Sequence, residues 1–165
     1  MTYNPDFMRR AVELSRRALG EPGTEPFGAV IALDGRIVGE GLNHALAHFD
    51  PTSHGEVEAI RDACRRLERV ALTGADMYTS GEPCAMCVAT MEIAGISRLY
   101  YAASLEQAGM AFTDLTLKER HPIDVAKLRR AAGSVVSDRD MPAEQHMDRD
   151  ATEILVAWAM ARKAI

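Results

Sequence analysis

The alternation of apolar and polar positions divides this chain into clear elements. Asn4-Pro5 is suited to start a helix, with asparagine as the cap and proline at the first helical position. Phe7, Ala11, Leu14 and Ala18 then recur at helical spacing until Gly20 and Pro22. At Gly28 the pattern changes to a continuous apolar run ending at Leu33, which reads as a buried strand. Asp34-Gly35 is a strong hairpin turn, and Arg36 to Gly41 returns as the second strand. Residues 42–53 form a polar loop. Val57, Ile60, Ala63, Cys64 and Leu67 then make the stripe of an amphipathic helix over Glu56–Leu67. Asp76–Ser80 reads as a short strand, Cys84–Ala94 as a largely apolar helix and Arg98–Ala103 as a further strand. The tail is helix-rich, with Val125–Ala132 and Asp148–Lys163 the best segments. Strands alternating with helices predict a layered α/β domain. The opening hairpin is antiparallel and the later strand–helix–strand units are parallel, which gives a mixed sheet. No repeat or linker breaks the chain, so residues 1–165 are expected to form one domain with a core over about 5–115 and a helical tail over about 116–165.

Composition narrows the function classes. The 165 residues are 47% hydrophobic and 26% charged, the balance of an ordinary soluble globule. A net charge of −5 argues against a broad footprint for polyanions, so nucleic acid is not an expected partner. The N-terminus puts Asp6, Arg9 and Arg10 where a secretory apolar stretch would begin, and the longest apolar run, Ile154 to Ala161, is far short of a membrane span. Together with an odd count of 3 cysteines, this leads us to expect a cytoplasmic protein with no membrane partner.

The chemistry lies in His54-Gly55-Glu56 and in Pro83-Cys84-Ala85-Met86-Cys87. His54, Cys84 and Cys87 are three donors of the types zinc prefers, and three protein ligands with an open fourth position is the catalytic arrangement. Cys84 and Cys87 are three apart and share one side of a helical turn. Both groups fall where a loop or strand enters a helix, and the free N–H groups there favour thiolate. Thr52 or Ser53 is available to cap the helix that His54 begins. Glu56 is not expected to be a ligand. It suits a proton shuttle that takes a proton from the attacking water and delivers protons to a ring nitrogen and a leaving amine. A structural zinc site would need a fourth, closed ligand; His44, His48, His121 and His146 qualify by type, but none has knuckle spacing.

With these motifs the chain resembles the zinc-dependent cytidine and nucleobase deaminase superfamily, whose signature is H-x-E followed by P-C-x-x-C. Pro26-Phe27-Gly28-Ala29-Val30-Ile31, Gly39-Glu40-Gly41-Leu42-Asn43, Asp50-Pro51-Thr52-Ser53-His54-Gly55-Glu56 and Tyr78 through Cys87 resemble successive family blocks. The resemblance covers about residues 5–115. It implies a cytidine-deaminase-like three-layer α/β/α domain with a five-stranded mixed sheet, one Zn2+ per chain, a small-molecule nucleobase substrate and a homodimer.

Within the superfamily, Asp50-Pro51-Thr52, Ala59-Ile60-Arg61-Asp62-Ala63-Cys64 and Tyr101-Ala102-Ala103 are most similar to bacterial guanine deaminases. On that likeness Asn43 matches the asparagine whose amide bonds the substrate base. Asp114, in Ala111-Phe112-Thr113-Asp114, matches an acid at the substrate edge, and Phe27 and Phe112 could supply apolar walls. The tail of guanine deaminases crosses to a partner subunit and brings an acid to the pocket; Glu144, Asp148 and Asp150 are the candidates here. Trp158, on a stripe with Ile154, Leu155 and Ala161, reads as core or interface rather than lid. Two positions depart from the pattern. Gly55 replaces a common alanine, and Gly81 stands where guanine deaminases often have cysteine. The function the resemblance implies is hydrolytic deamination of a free base in purine catabolism, guanine to xanthine plus ammonia first. Other bases and nucleosides (cytosine, cytidine, guanosine), tRNA adenosine, and a structural zinc domain without activity stand as alternatives. An intact Glu56 argues against the last.

Overall fold

The computed structural model of the chain describes residues 2–116, 120 and 123–163. They divide into two compact units, Met1–Ala132 and Gly133–Ile165. Helix α1 spans Pro5–Arg16, and the Asn4 side chain caps it by accepting from the Asp6 N–H. Strands β1 (Glu25–Leu33) and β2 (Arg36–Asn43) form the antiparallel hairpin around Asp34-Gly35. Helix α2 (Gly55–Leu67), strand β3 (Asp76–Gly81), helix α3 (Ala85–Ala94) and strand β4 (Arg98–Ala103) follow. The chain then makes α4 (Leu105–Ala111) and α5 (Val125–Gly133), and the second unit contains α6 (Asp148–Lys163). Strand and helix positions follow the hydrophobic pattern to within a few residues. Helix α4 was not foreseen.

The sheet runs β2-β1-β3-β4. Strand β3 pairs antiparallel with β1 and parallel with β4, so the sheet is mixed. It has four strands among the described residues, not the five expected. After β4 a capping box at Ser104, reciprocal with Gln107, turns the chain into α4, and the elements beyond it are helical.

Strand β1 is apolar from Gly28 to Ala32, where both its faces are buried. Ala29 and Ile31 pack with Val57, Ala59 and Ile60 of α2 and Cys87 and Met91 of α3. Val30 and Ala32 face the other way, onto Ala11 and Leu14 of α1 and Tyr78 of β3. Two helices on one face and one on the other give the three-layer α/β/α arrangement. The layers meet closely at α2: a Cβ on Gly41 would stand 2.1 Å from the Gly55 carbonyl oxygen, so only glycine lets β2 reach the helix N-terminus. Within the second unit, Ile154, Leu155 and Trp158 on α6 are exposed, and Arg162 lies over the Trp158 ring. The stripe is therefore not core within that unit. No helix among the described residues is long and apolar enough to cross a membrane.

Candidate metal and catalytic site

Two helix N-termini converge beside the sheet and bring the motif residues together. His54 is the N-cap of α2 and Cys84 the N-cap of α3, and neither helix has a side-chain cap bond. Thr52 and Ser53 do not cap α2 as anticipated. The Ser53 hydroxyl donates to Glu58 (2.9 Å), and Thr52 closes a turn on Asp50, whose carboxylate accepts from the Thr52 N–H (2.8 Å) and hydroxyl (2.7 Å). Arg61 then ties this turn to α2, donating to Glu58 at 2.6 Å and to Thr52 at 3.2 Å. The loop presenting His54 is thus held by an Asx turn and a guanidinium rather than by a cap.

His54 Nδ1 lies 3.7 Å from Cys84 Sγ and 3.5 Å from Cys87 Sγ, and the two sulfurs are 3.7 Å apart. A tetrahedral zinc with ordinary bond lengths needs about 3.8 Å between two sulfurs and about 3.6 Å between sulfur and nitrogen. The donor triangle therefore fits one zinc ion. No fourth His, Cys, Asp or Glu joins it among the described residues. His44 and His48 stack on each other elsewhere (4.8 Å between ring centroids), His146 pairs with Glu144 in the second unit, and His121 lies outside the described residues.

The donors perturb one another. The Cys84 thiol is pulled down to about 4, first by its hydrogen bond with Cys87, then by His54, against the opposing effect of burial. Cys87 is held up by the same contact with Cys84 and by burial beside the Glu56 carboxylate. His54 is raised by its hydrogen bond to Cys84, with burial opposing.

Glu56 is 4% exposed, and burial raises its carboxyl above the usual range. The Thr79 hydroxyl donates to its Oε1 at 3.0 Å, and Cys87 Sγ lies 3.4 Å from its Oε2. These bonds partly offset the rise and hold the carboxylate in place. A carboxyl group with a raised proton affinity beside a metal donor set has the properties of a general acid–base group.

His54, Glu56 and Cys84 open into a cavity of ≈ 170 Å³ that Phe27 and Asn43 also line. The Asn43 Oδ1 accepts from the Ala45 N–H at 2.9 Å, so its amide NH2 is what remains to offer a ligand. Phe27 and Phe112 meet edge to face with centroids 5.8 Å apart. Both departures from the family pattern touch Phe27. A Cβ on Gly55 would stand 2.3 Å from the Phe27 carbonyl oxygen, and one on Gly81 would stand 3.0 Å from its ring.

Asp114 is not among the cavity-lining residues; it is exposed. The turn closed by the Leu115 N–H on the Phe112 carbonyl sends Thr113 and Asp114 to solvent while Phe112 faces Phe27. The structure adds Glu25, Glu82 and Arg120 to the lining, and the Glu82 carboxylate accepts from the Leu105 N–H at the start of α4 (3.0 Å). Glu25 could have been noticed as a charge abutting Pro26-Phe27 on an apolar strand. Arg120 stands in a stretch without periodicity and had no signal.

Two helix starts supplying histidine and paired cysteines to one open metal position, with a buried carboxyl group beside them, define a zinc-dependent deaminase site. The chain belongs to the cytidine and deoxycytidylate deaminase family: its residues 1–103 match the model described as the zinc-binding region of that family. It is 42% identical over 108 residues to a guanine deaminase of Bacillus subtilis, spanning 66% of this chain and 69% of that protein. It is 40% identical over 109 residues to a tRNA-specific adenosine deaminase of Agrobacterium fabrum, spanning 66% of this chain and 71% of that one. The solved structure of guanine deaminase from Bacillus subtilis superposes with a TM-score of 0.81 at 32% identity, covering 96% of this chain and 94% of the other.

Proposed function

We propose that this protein is a zinc-dependent hydrolytic deaminase of a free nucleobase, with guanine, converted to xanthine and ammonia, as its substrate. The observation that carries the substrate is the extent of the structural likeness. The two relatives each align over 66% of the chain, whereas the solved guanine deaminase structure is matched over 96%. A cavity of ≈ 170 Å³ is small beside the about 300–1,000 Å³ of most ligand pockets, which favours a bare base over a nucleoside.

In this reading His54, Cys84 and Cys87 hold the zinc. When bound, the metal lets water ionise near neutral pH and so makes a nucleophile available. Glu56 receives the proton released by the attacking water and passes it to the ring nitrogen beside the reacting carbon. It then takes the proton left on the carbon-bound hydroxyl, as that oxygen becomes the carbonyl, and delivers it to the departing amine, which leaves as ammonia. Thr79 keeps the Glu56 carboxylate aimed at both positions. Asn43 orients the base through its amide NH2, and Phe27 and Phe112 exclude water from the ring faces. Asp114, as an edge contact, would have to enter by movement of the turn it occupies, and a tail acid would have to come from outside the first unit.

The test is ammonia release by zinc-loaded protein from guanine, guanosine, cytosine, cytidine, adenine and adenosine in parallel. Turnover confined to guanine is expected. Ready turnover of cytosine with guanine untouched would overturn the assignment.

A second reading, deamination of tRNA adenosine, is favoured by the 40% identity to the Agrobacterium fabrum enzyme. The net charge of −5 counts against it. Binding to an anticodon stem-loop that weakens steeply with salt, together with inosine formation, would select it.

A further inference from the structure

Part of the cavity wall is closed by Arg120, whose buried Nε–H has no acceptor among the described residues. Arg120 Nη2 reaches Glu25 Oε2 at 3.4 Å, a single long contact between side chains 18% and 9% exposed. The Arg120 Nε is buried and has no hydrogen-bond partner among the described residues. Its guanidinium carbon sits 4.3 Å from the centre of the Phe112 ring, which holds the group against the wall without meeting its N–H donors. The more exposed pair Arg10–Glu40 is better formed, a two-point fork at 2.7 and 2.8 Å. Burial makes the contrast sharper, because an arginine taken out of water is costly unless its donors find acceptors.

We propose that Arg120 is a specificity-determining residue that reads an oxo oxygen on the aminated base, with Glu25 and Phe112 holding its guanidinium in place. A ligand oxygen in the cavity lets the guanidinium turn and give Nε and a terminal N–H an acceptor, which replaces one long contact by a fork. The charge of the cavity favours a neutral oxygen over an anionic one. Glu25, Glu56 and Glu82 all line it, and Glu25 already balances Arg120, so a phosphate or carboxylate would add charge beside three carboxyl groups. The substrate class is therefore an aminated heterocycle carrying a lactam, C=O beside ring N–H. This inference rests on the free-base reading above.

The test compares guanine with 2-aminopurine, which keeps the same amine and lacks the oxo group and its adjoining N–H. Steady-state kinetics are measured for zinc-loaded wild type, Arg120→Met and Arg120→Lys, with zinc content and melting temperature as checks on folding. Arg120→Met is expected to lower kcat/KM for guanine about 10–100-fold, mostly through KM, and to change 2-aminopurine less than about 3-fold. Arg120→Lys should recover part of the loss. Equal losses on both bases, or an unchanged guanine preference, overturn the role of Arg120 and leave the free-base reading intact. A preference for guanosine 5′-monophosphate over guanine, lost on substituting Arg120, overturns the neutral-oxygen assignment in favour of an anion. Wild type that neither binds nor deaminates either base overturns both readings.

Discussion

Two parts of the same cavity wall are built on opposite principles. The donor side is geometrically complete: His54, Cys84 and Cys87 stand at 3.5–3.7 Å from one another, the separations a tetrahedral zinc requires. Glu56 beside them has a partner on each oxygen. On the other side Arg120 is incompletely met: it reaches Glu25 at 3.4 Å, and its buried Nε–H has no acceptor among the described residues. A wall finished before the ligand arrives suits chemistry common to a family, since the attack on an amine-bearing carbon does not depend on the rest of the ring. A wall that a ligand must finish suits selection between rings. The difference teaches where to look for substrate choice in this protein.

The largest expected effect comes from breaking the complete side. Cys87→Ala removes one of three donors, so zinc content should fall well below one per chain and ammonia release should drop to background. Metal analysis on the purified variant checks this; full zinc with activity would mean that another group supplies the third ligand. Next in size is Glu56→Gln, which keeps the shape and removes the proton carrier. It should retain zinc and lower kcat by about 10²–10⁴-fold. Retained turnover would reassign the shuttle.

Gly55→Ala probes the seat of the wall that both sides share. The added methyl meets the Phe27 carbonyl oxygen at 2.3 Å, so β1 or α2 must shift. A loss of about 1–3 kcal/mol in urea unfolding is expected, and an unchanged midpoint would show that the strand yields freely. The smallest effect concerns the well-made surface fork. The hydrogen bond from Arg10 holds the Glu40 carboxyl below its ordinary 4.5, so its stabilisation is present above that pH and is lost as pH falls through the lowered value. Glu40→Gln should cost no more than about 1 kcal/mol at pH 7, because the pair is partly exposed. The gap from wild type should close in acid; a gap that persists at low pH would point to packing rather than charge.

How much of this was legible in the sequence follows the same division. The strand Gly28–Leu33 and the stripe from Val57 to Leu67 were readable because burial imposes a period on the chain. The donor set was readable because metal chemistry restricts both residue type and spacing. Sheet size was not readable from pattern alone. The five strands came from the family likeness, and the Ser104 capping box sends the chain into a helix of 7 residues, too short to show a helical period. Arg120 was invisible for a different reason. It meets Glu25 across 95 positions of sequence, and no local pattern encodes such a contact. Asp114 was placed by analogy with a four-residue stretch, yet the turn after Phe112 leaves it in solvent.

The central claim, hydrolytic removal of the amine from a free oxo-base, is tested most directly by running zinc-loaded protein on guanine in 18O-labelled water. Xanthine carrying one solvent oxygen, with one ammonia for every guanine consumed, is the expected result. Guanine left intact while another aminated compound is hydrolysed, or no ammonia from any base, would contradict it.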